Sequence, residues 1–280
     1  LEYAEKYLLL SADSNNYKAQ YMLGKLYQSD SNKDLQKAEK VLIKGAENAQ
    51  DKTGLCEYSL GKLYLSQERY DKAASYLERS VAKDNYYAAY TLGKLYQEQF
   101  NDNALAEKHL MHAAEHKDDV MGIAAYRLGK LYLSFQEKRK ALQYFIKAAD
   151  KDNTYGMYAA GKILLDSRKS KGIRYLSSAA DNDFEPAIYT LGKYYSSFNN
   201  TKAKEYLKRS AFEYNDPNAQ YILGKVYLSE NKNEMAEKCF RQCALNGNNS
   251  GQLAYGLMLL RDGQKKAAYQ WLRKSATLRQ

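Results

Sequence analysis

The 280-residue sequence has only two prolines, three cysteines and three histidines, and no apolar run long enough to span a bilayer. Each shortage excludes something. Two prolines rule out a Pro-rich linker and a chain built on many β-turns. Cys56, Cys239 and Cys243 are odd in number, dispersed and without CxxC spacing, so neither a disulfide framework nor a zinc or dithiol site is expected. Reduced thiols in a cytoplasmic protein fit that usage. No secretory leader pattern follows Leu1. The motifs GxxxxGK before Ser or Thr, GxSxG, HExxH and GxGxxG are all missing. Catalysis needs titratable groups gathered and perturbed, and this supply is small, so the chain reads as non-enzymatic and without a cofactor.

What is abundant is tyrosine, 28 residues, and the reason is a repeat. A block Tyr-x-Leu-Gly-Lys-Leu-Tyr recurs around Gly24, Gly61, Gly93, Gly129, Gly161, Gly192, Gly224 and Gly256, at gaps of 37, 32, 36, 32, 31, 32 and 32 residues. A second block follows each, small-x3-bulky-x3-small, as in Ala38/Leu42/Ala46, Ala73/Leu77/Val81 and Ala106/Leu110/Ala114. Residues four apart lie on one face of a helix, so each period is an antiparallel helix pair. One pair cannot bury its stripe alone, and pairs of this kind must stack. The expected fold is all-α: a right-handed superhelical solenoid of stacked antiparallel helix pairs. Its expected parts are a half-repeat at 1–14, holding only a second helix (Ala4/Leu8/Ala12), and eight pairs at 15–50, 51–83, 84–117, 118–151, 152–182, 183–214, 215–247 and 248–280. They are expected to form one continuous array. The half-repeat suggests a segment excised from a longer protein, lacking the helix on which Tyr7, Leu8, Leu9 and Leu10 would pack.

The two blocks, best preserved at Ala88–Tyr96, Ala187–Tyr195 and Ala219–Tyr227, resemble the Sel1-like repeat, a relative of the tetratricopeptide repeat. The resemblance extends over nearly the whole chain and implies a scaffold or adaptor that binds a protein or peptide. The departures are the spacing, mostly 31 or 32 residues rather than near 36, and the loss of Gly from turns such as Leu65-Ser66-Gln67-Glu68-Arg69-Tyr70. Repeats reading Leu-Gly-Lys-Leu-Tyr also look like arrays attached to plasmid-mobilisation relaxases of low-GC bacteria. That resemblance implies the alternative of an accessory region contacting DNA or transfer-machinery proteins.

Two columns are candidates for partner binding. The lysine after each Gly is Lys25, Lys62, Lys94, Lys130, Lys162, Lys193 and Lys225, with Leu257 breaking the series. Four residues earlier stands Tyr21, Tyr58, Tyr90, Tyr126, Tyr158, Tyr189 or Tyr221, so Tyr and Lys share a ridge. Stacking would align them in an aromatic, cationic lane for an acidic or extended peptide, although a Lys stem lying over its own Tyr ring on a solvated face gives the same pattern. Other tyrosines, among them Tyr76, Tyr144, Tyr175 and Tyr206, read as packing, and Cys239 and Trp271 stand in their column.

Charge is uneven. The net is +1 over residues 1–140 and +9 over 141–280. Arg168, Lys169, Lys171, Lys202, Lys204, Lys208, Arg209, Lys265 and Lys266 form a candidate basic edge, suited to salt-sensitive, non-specific contact with nucleic acid or an acidic protein. His109, His112 and His116 fall within one helix at a spacing that could hold a divalent metal beside Glu107 or Asp119, or could simply be solvated. No metal site is expected on balance.

Overall fold

A computed structural model describes residues 2–29 and 33–276. Their regular structure is helical throughout. First helices of the repeats are α2 (Tyr17–Leu26), α4 (Leu55–Ser66), α6 (Tyr86–Glu98), α8 (Ile123–Ser134), α10 (Thr154–Ser167), α12 (Glu185–Tyr195), α14 (Pro217–Ser229) and α16 (Asn249–Arg261). Second helices are α1 (Glu2–Asp13), α3 (Leu35–Ala46), α5 (Tyr70–Val81), α7 (Asn103–Glu115), α9 (Lys138–Ala149), α11 (Lys169–Asp181), α13 (Asn200–Lys208), α15 (Asn233–Leu245) and α17 (Lys265–Ala276). The chain divides into two compact units, Leu1–Asn153 and Thr154–Gln280, and within each unit consecutive helices pack on one another.

The repeat Gly explains the pairing. A Cβ built on Gly61 would stand 2.6 Å from Leu77 Cγ, and one on Gly129 would stand 2.6 Å from Phe145 Cδ1. The bulky residue of the second helix therefore lies on the bare backbone of the first, and Leu42, Leu77, Leu110 and Phe145 are fully or almost fully buried. Each such side chain contributes roughly 1.5–3 kcal/mol by leaving water.

The Asp and Asn residues between helices act as caps. Asn16 accepts from the Lys18 and Ala19 amides, Asp34 from Lys37, Asn85 from Ala88 and Asn248 from Gly251. The turns close through left-handed residues that are mostly not Gly. Glu68 (φ 58°), Gln136 (φ 61°) and Asn231 (φ 57°) stand between first and second helices, at the place Gly263 fills in the last repeat. Two long connections supply most of the extra length in the 37- and 36-residue gaps. Each carries Asp-x-x-Gly, at Asp51–Gly54 and Asp119–Gly122, with the Gly left-handed at the helix start.

Candidate functional site

The Tyr–Lys columns lie on the first-helix face, with lysines mostly exposed and tyrosines half-buried. Lys25 stands over Tyr21, Lys62 over Tyr58, Lys130 over Tyr126, Lys162 over Tyr158 and Lys225 over Tyr221, at 5.4 to 6.0 Å from the ring centres. Each ammonium thus leans over a ring of its own helix while remaining open to solvent. Adjacent first helices touch at α2–α4 and α4–α6 in the first unit, and at α12–α14 and α14–α16 in the second.

Between these helices the columns meet. A cavity of about 370 Å³ is lined by Tyr21, Lys25, Tyr58 and Lys62 with Gln28 and Ser59. In the second unit a cavity of about 590 Å³ is lined by Tyr189, Lys193, Tyr221 and Lys225 with Ser196 and Ser229. The same four positions of two neighbouring repeats therefore build both. In α16 the pair becomes Leu253 and Leu257, both exposed, so that helix presents an apolar ridge.

The other tyrosines hold the repeats together. Tyr132 donates its hydroxyl to Glu107 Oε1 at 2.7 Å, joining α8 to the second helix of the preceding repeat, and stacks on Tyr144 of its own repeat at 5.5 Å. Tyr64 does the same with Glu39 and Tyr76. Tyr27 bonds Glu5, and Tyr96 bonds Glu78. Burial first, then these carboxylates, push the Tyr27 and Tyr96 hydroxyls up to about 12 and raise Tyr64 and Tyr132 as well. In the second unit the copies of that position preceding Tyr195 and Tyr227 are Ile173 and Lys204, and the acid returns only at Glu237. The charge asymmetry is thus partly a difference in how repeats are joined.

The histidines do not form a set. His109 belongs to the packing column of Tyr76 and Tyr144, one residue before the buried Leu, and stacks on Tyr96 at 5.6 Å with the rings 10° from parallel. Its burial lowers its proton affinity. His112 and His116 instead face the Asp84 carboxylate in the turn before α6, at 3.2 and 3.4 Å. No group of three His, Cys, Asp or Glu among the described residues is arranged to hold a metal ion. Register with Leu110 was the signal that assigns His109. The cysteines are buried, and burial pushes Cys56 up to about 12 and Cys239 and Cys243 up to about 11, so the thiols stay protonated.

The basic edge is smaller than its sequence outline. Lys204 is engaged with Glu230 at 2.5 Å, and Arg209 with Asp183 at 2.9 Å, so neither is a free cation. The Lys204 bond, with Lys232, pulls Glu230 down to about 2. Lys202 lies over the Tyr195 ring. Arg168, Lys169, Lys171, Lys208, Lys265 and Lys266 are exposed.

Asp51 and Asp119, the latter a candidate metal neighbour of the histidines by sequence, are buried carboxylates with a structural task. Asp119 accepts from the Ala124 and Ala125 amides, the Tyr86 hydroxyl and Lys151. Asp51 accepts from the Thr53 hydroxyl and the Thr53 and Gly54 amides. Both fasten a long loop to the start of the next helix, and the shared Asp-x-x-Gly spacing could have revealed them.

Residues 55–85 and residues 217–245 each match the tetratricopeptide repeat family. Two solved structures align with nearly the whole chain. One is a protective antigen present in uropathogenic Escherichia coli strains, displaying an SLR fold, at 20% identity and a TM-score of 0.77 over 97% of this chain. The other is a Sel1 repeat protein from Oxalobacter formigenes, at 21% identity and a TM-score of 0.71 over 98% of this chain and 87% of that one. The chain has the Sel1-like repeat fold. It spans 63% of the length of the Escherichia coli antigen. No curated protein matches its sequence. First helices carry the Tyr–Lys columns, while the described helices are too short or too polar to cross a membrane.

Proposed function

We propose that the protein is a non-enzymatic interaction scaffold whose first-helix face binds an extended, acidic peptide segment of a partner protein. The observation that carries this reading is the recurrence of one cavity, built from the Tyr and Lys positions of two successive repeats, in both units. Helical-repeat arrays characteristically present extended binding surfaces of this kind. Rigid tyrosine rings supply contact area at low entropic cost, and the ammonium groups supply the selection for acidic residues. In the second unit the exposed Leu253 and Leu257 would receive apolar residues at the α16 end of the peptide.

The test is binding of a fluorescein-labelled peptide of alternating Glu and Ala, read by anisotropy. Lys193→Glu with Lys225→Glu should weaken binding at least tenfold without lowering the unfolding temperature. Unchanged affinity in that variant would remove the lane from the account.

The second reading, contact with nucleic acid through the basic edge, is supported by Lys169, Lys171, Lys202 and Lys265 in the first turns of α11, α13 and α17. Positive side chains there add to the positive end of the helix dipole, where acidic residues are usual. A duplex DNA retarded at low salt, and released by Lys169→Glu with Lys171→Glu, would support it. Unretarded DNA at low salt would dismiss it.

A further inference from the structure

The residue after the last small position of each second-helix stripe is exposed in seven successive repeats. It is Glu47, Ala82, Glu115, Asp150 and Asp181 in the first five, then Phe212 and Leu245. Acidic and small residues suit a place that faces water at the turn into the next repeat. A phenylalanine and a leucine at two consecutive copies do not. Both are 58% exposed, and both line one cavity of about 590 Å³.

The cavity lies between the turn that follows α13 and helix α15, with Gln220 of α14 beneath, and shares no lining residue with the Tyr–Lys cavity of this unit. One wall is the π-helical turn Arg209–Glu213, which keeps Ser210 and Ala211 buried while holding Phe212 outward. Turns of this type are uncommon and recur at functional sites. The polar floor is already satisfied. Buried Gln220 donates to the Ala211 carbonyl and to Asn215 Oδ1, each at 2.9 Å, and accepts from Asn246 at 3.0 Å. What remains unanswered is two apolar side chains and the cations Lys238 and Arg241 on the lining. Neither cation is ion-paired among the described residues. The surrounding unit, residues 154–280, has 20 basic and 11 acidic side chains, a net of +9.

We propose that this cavity is a second docking site, which takes a bulky apolar side chain flanked by Asp or Glu from a partner protein. The apolar side chain seats between Phe212 and Leu245, and the flanking carboxylates meet Lys238 and Arg241. Charge complementarity selects this occupant over a basic apolar segment, which the +9 field repels. The site is independent of the first-helix lane.

The experiment titrates the full chain, ¹⁵N-labelled, with three synthetic peptides up to millimolar concentration: Glu-Glu-Leu-Phe-Glu-Glu, Glu-Glu-Ala-Ala-Glu-Glu and Lys-Lys-Leu-Phe-Lys-Lys. The first should shift the Phe212, Asn215, Leu245 and Arg241 amides and bind at least tenfold more tightly than either control. Phe212→Ser with Leu245→Ser, and separately Lys238→Glu with Arg241→Glu, should each weaken it at least tenfold. All four residues are exposed, and circular dichroism checks that the variants fold. Lys193→Glu with Lys225→Glu should leave these shifts in place, which separates this site from the lane. No binding of the first peptide, equal binding of the controls, or retained affinity in both cavity variants would overturn the proposal. Concentration-dependent self-association abolished by Phe212→Ser would assign the cavity to a second copy of the chain instead, and would equally overturn it.

Discussion

Tyr132 of α8 and Glu107 of α7 share a 2.7 Å hydrogen bond across the boundary between two repeats, and Tyr144 of α9 stacks on the same ring. Tyr64 repeats the arrangement with Glu39 and Tyr76. A column of tyrosines thus serves as mortar in the first unit, while the Tyr21 and Tyr58 column beside it lies half-buried under Lys25 and Lys62. Tyr132→Phe should cost about 1 kcal/mol, because it leaves a half-buried carboxylate without its donor. Tyr195→Phe in the second unit, where Ile173 replaces the Glu, should cost less than half of that. Urea unfolding of both variants checks the contrast.

The same bonds set a limit at high pH. Tyr27 and Tyr96 ionise near 12 in the folded chain, against an ordinary value of 10, because burial and the adjacent carboxylates disfavour the phenolate. The folded state holds its proton more tightly, so this stabilisation is complete below pH 10 and declines as pH rises from 10 to 12. Unfolding temperature should fall across that window, and the fall should be smaller in Tyr27→Phe with Tyr96→Phe. An unaltered pH profile in the double variant would contradict the assignment.

Glu57 is a buried carboxylate, with 1% side-chain exposure, held by Lys83 at 2.6 Å. Lys83→Met leaves that charge facing only the Arg79 guanidinium, at 3.9 Å, and should destabilise by about 3 kcal/mol. Adding Glu57→Gln to Lys83→Met should recover a substantial part of the loss. Thermal melts of the single and double variants measure the recovery.

Gly172 occupies a position that is Ala in most second helices, and a Cβ there would lie 2.6 Å from the Leu165 amide nitrogen. Backbone cannot give way as a side-chain end can, so Gly172→Ala should cost about 2–3 kcal/mol through overpacking. The left-handed Glu68 runs the other way. Glu68→Gly should stabilise by roughly 1 kcal/mol by relieving the Cβ clash at φ 58°. Gly263→Glu, at the equivalent turn, should reverse that sign.

The helix pairs were legible because Gly and the bulky residue below it are one contact repeated, as Gly61 on Leu77 and Gly129 on Phe145 show. His109 is near His112 and His116 along the helix, but register with Leu110 puts it in the aromatic column on Tyr96. Lys204 and Arg209 looked free in sequence because their partners, Glu230 and Asp183, are 26 residues away. The division at Asn153 is marked in sequence by the change in net charge, +1 over residues 1–153 and +9 over 154–280. Phe212 escaped notice because its anomaly shows only against the acidic and small residues of the same column.

The account rests on the first-helix face as the place where a partner binds. The most direct test follows the Tyr58, Lys62, Tyr221 and Lys225 amides of the ¹⁵N-labelled chain during titration with the Glu-Ala peptide. The account predicts that shifts concentrate on those residues, fade as salt is raised, and vanish for the second unit in Lys193→Glu with Lys225→Glu. Shifts confined to second helices, or persisting unchanged in that variant, would contradict it.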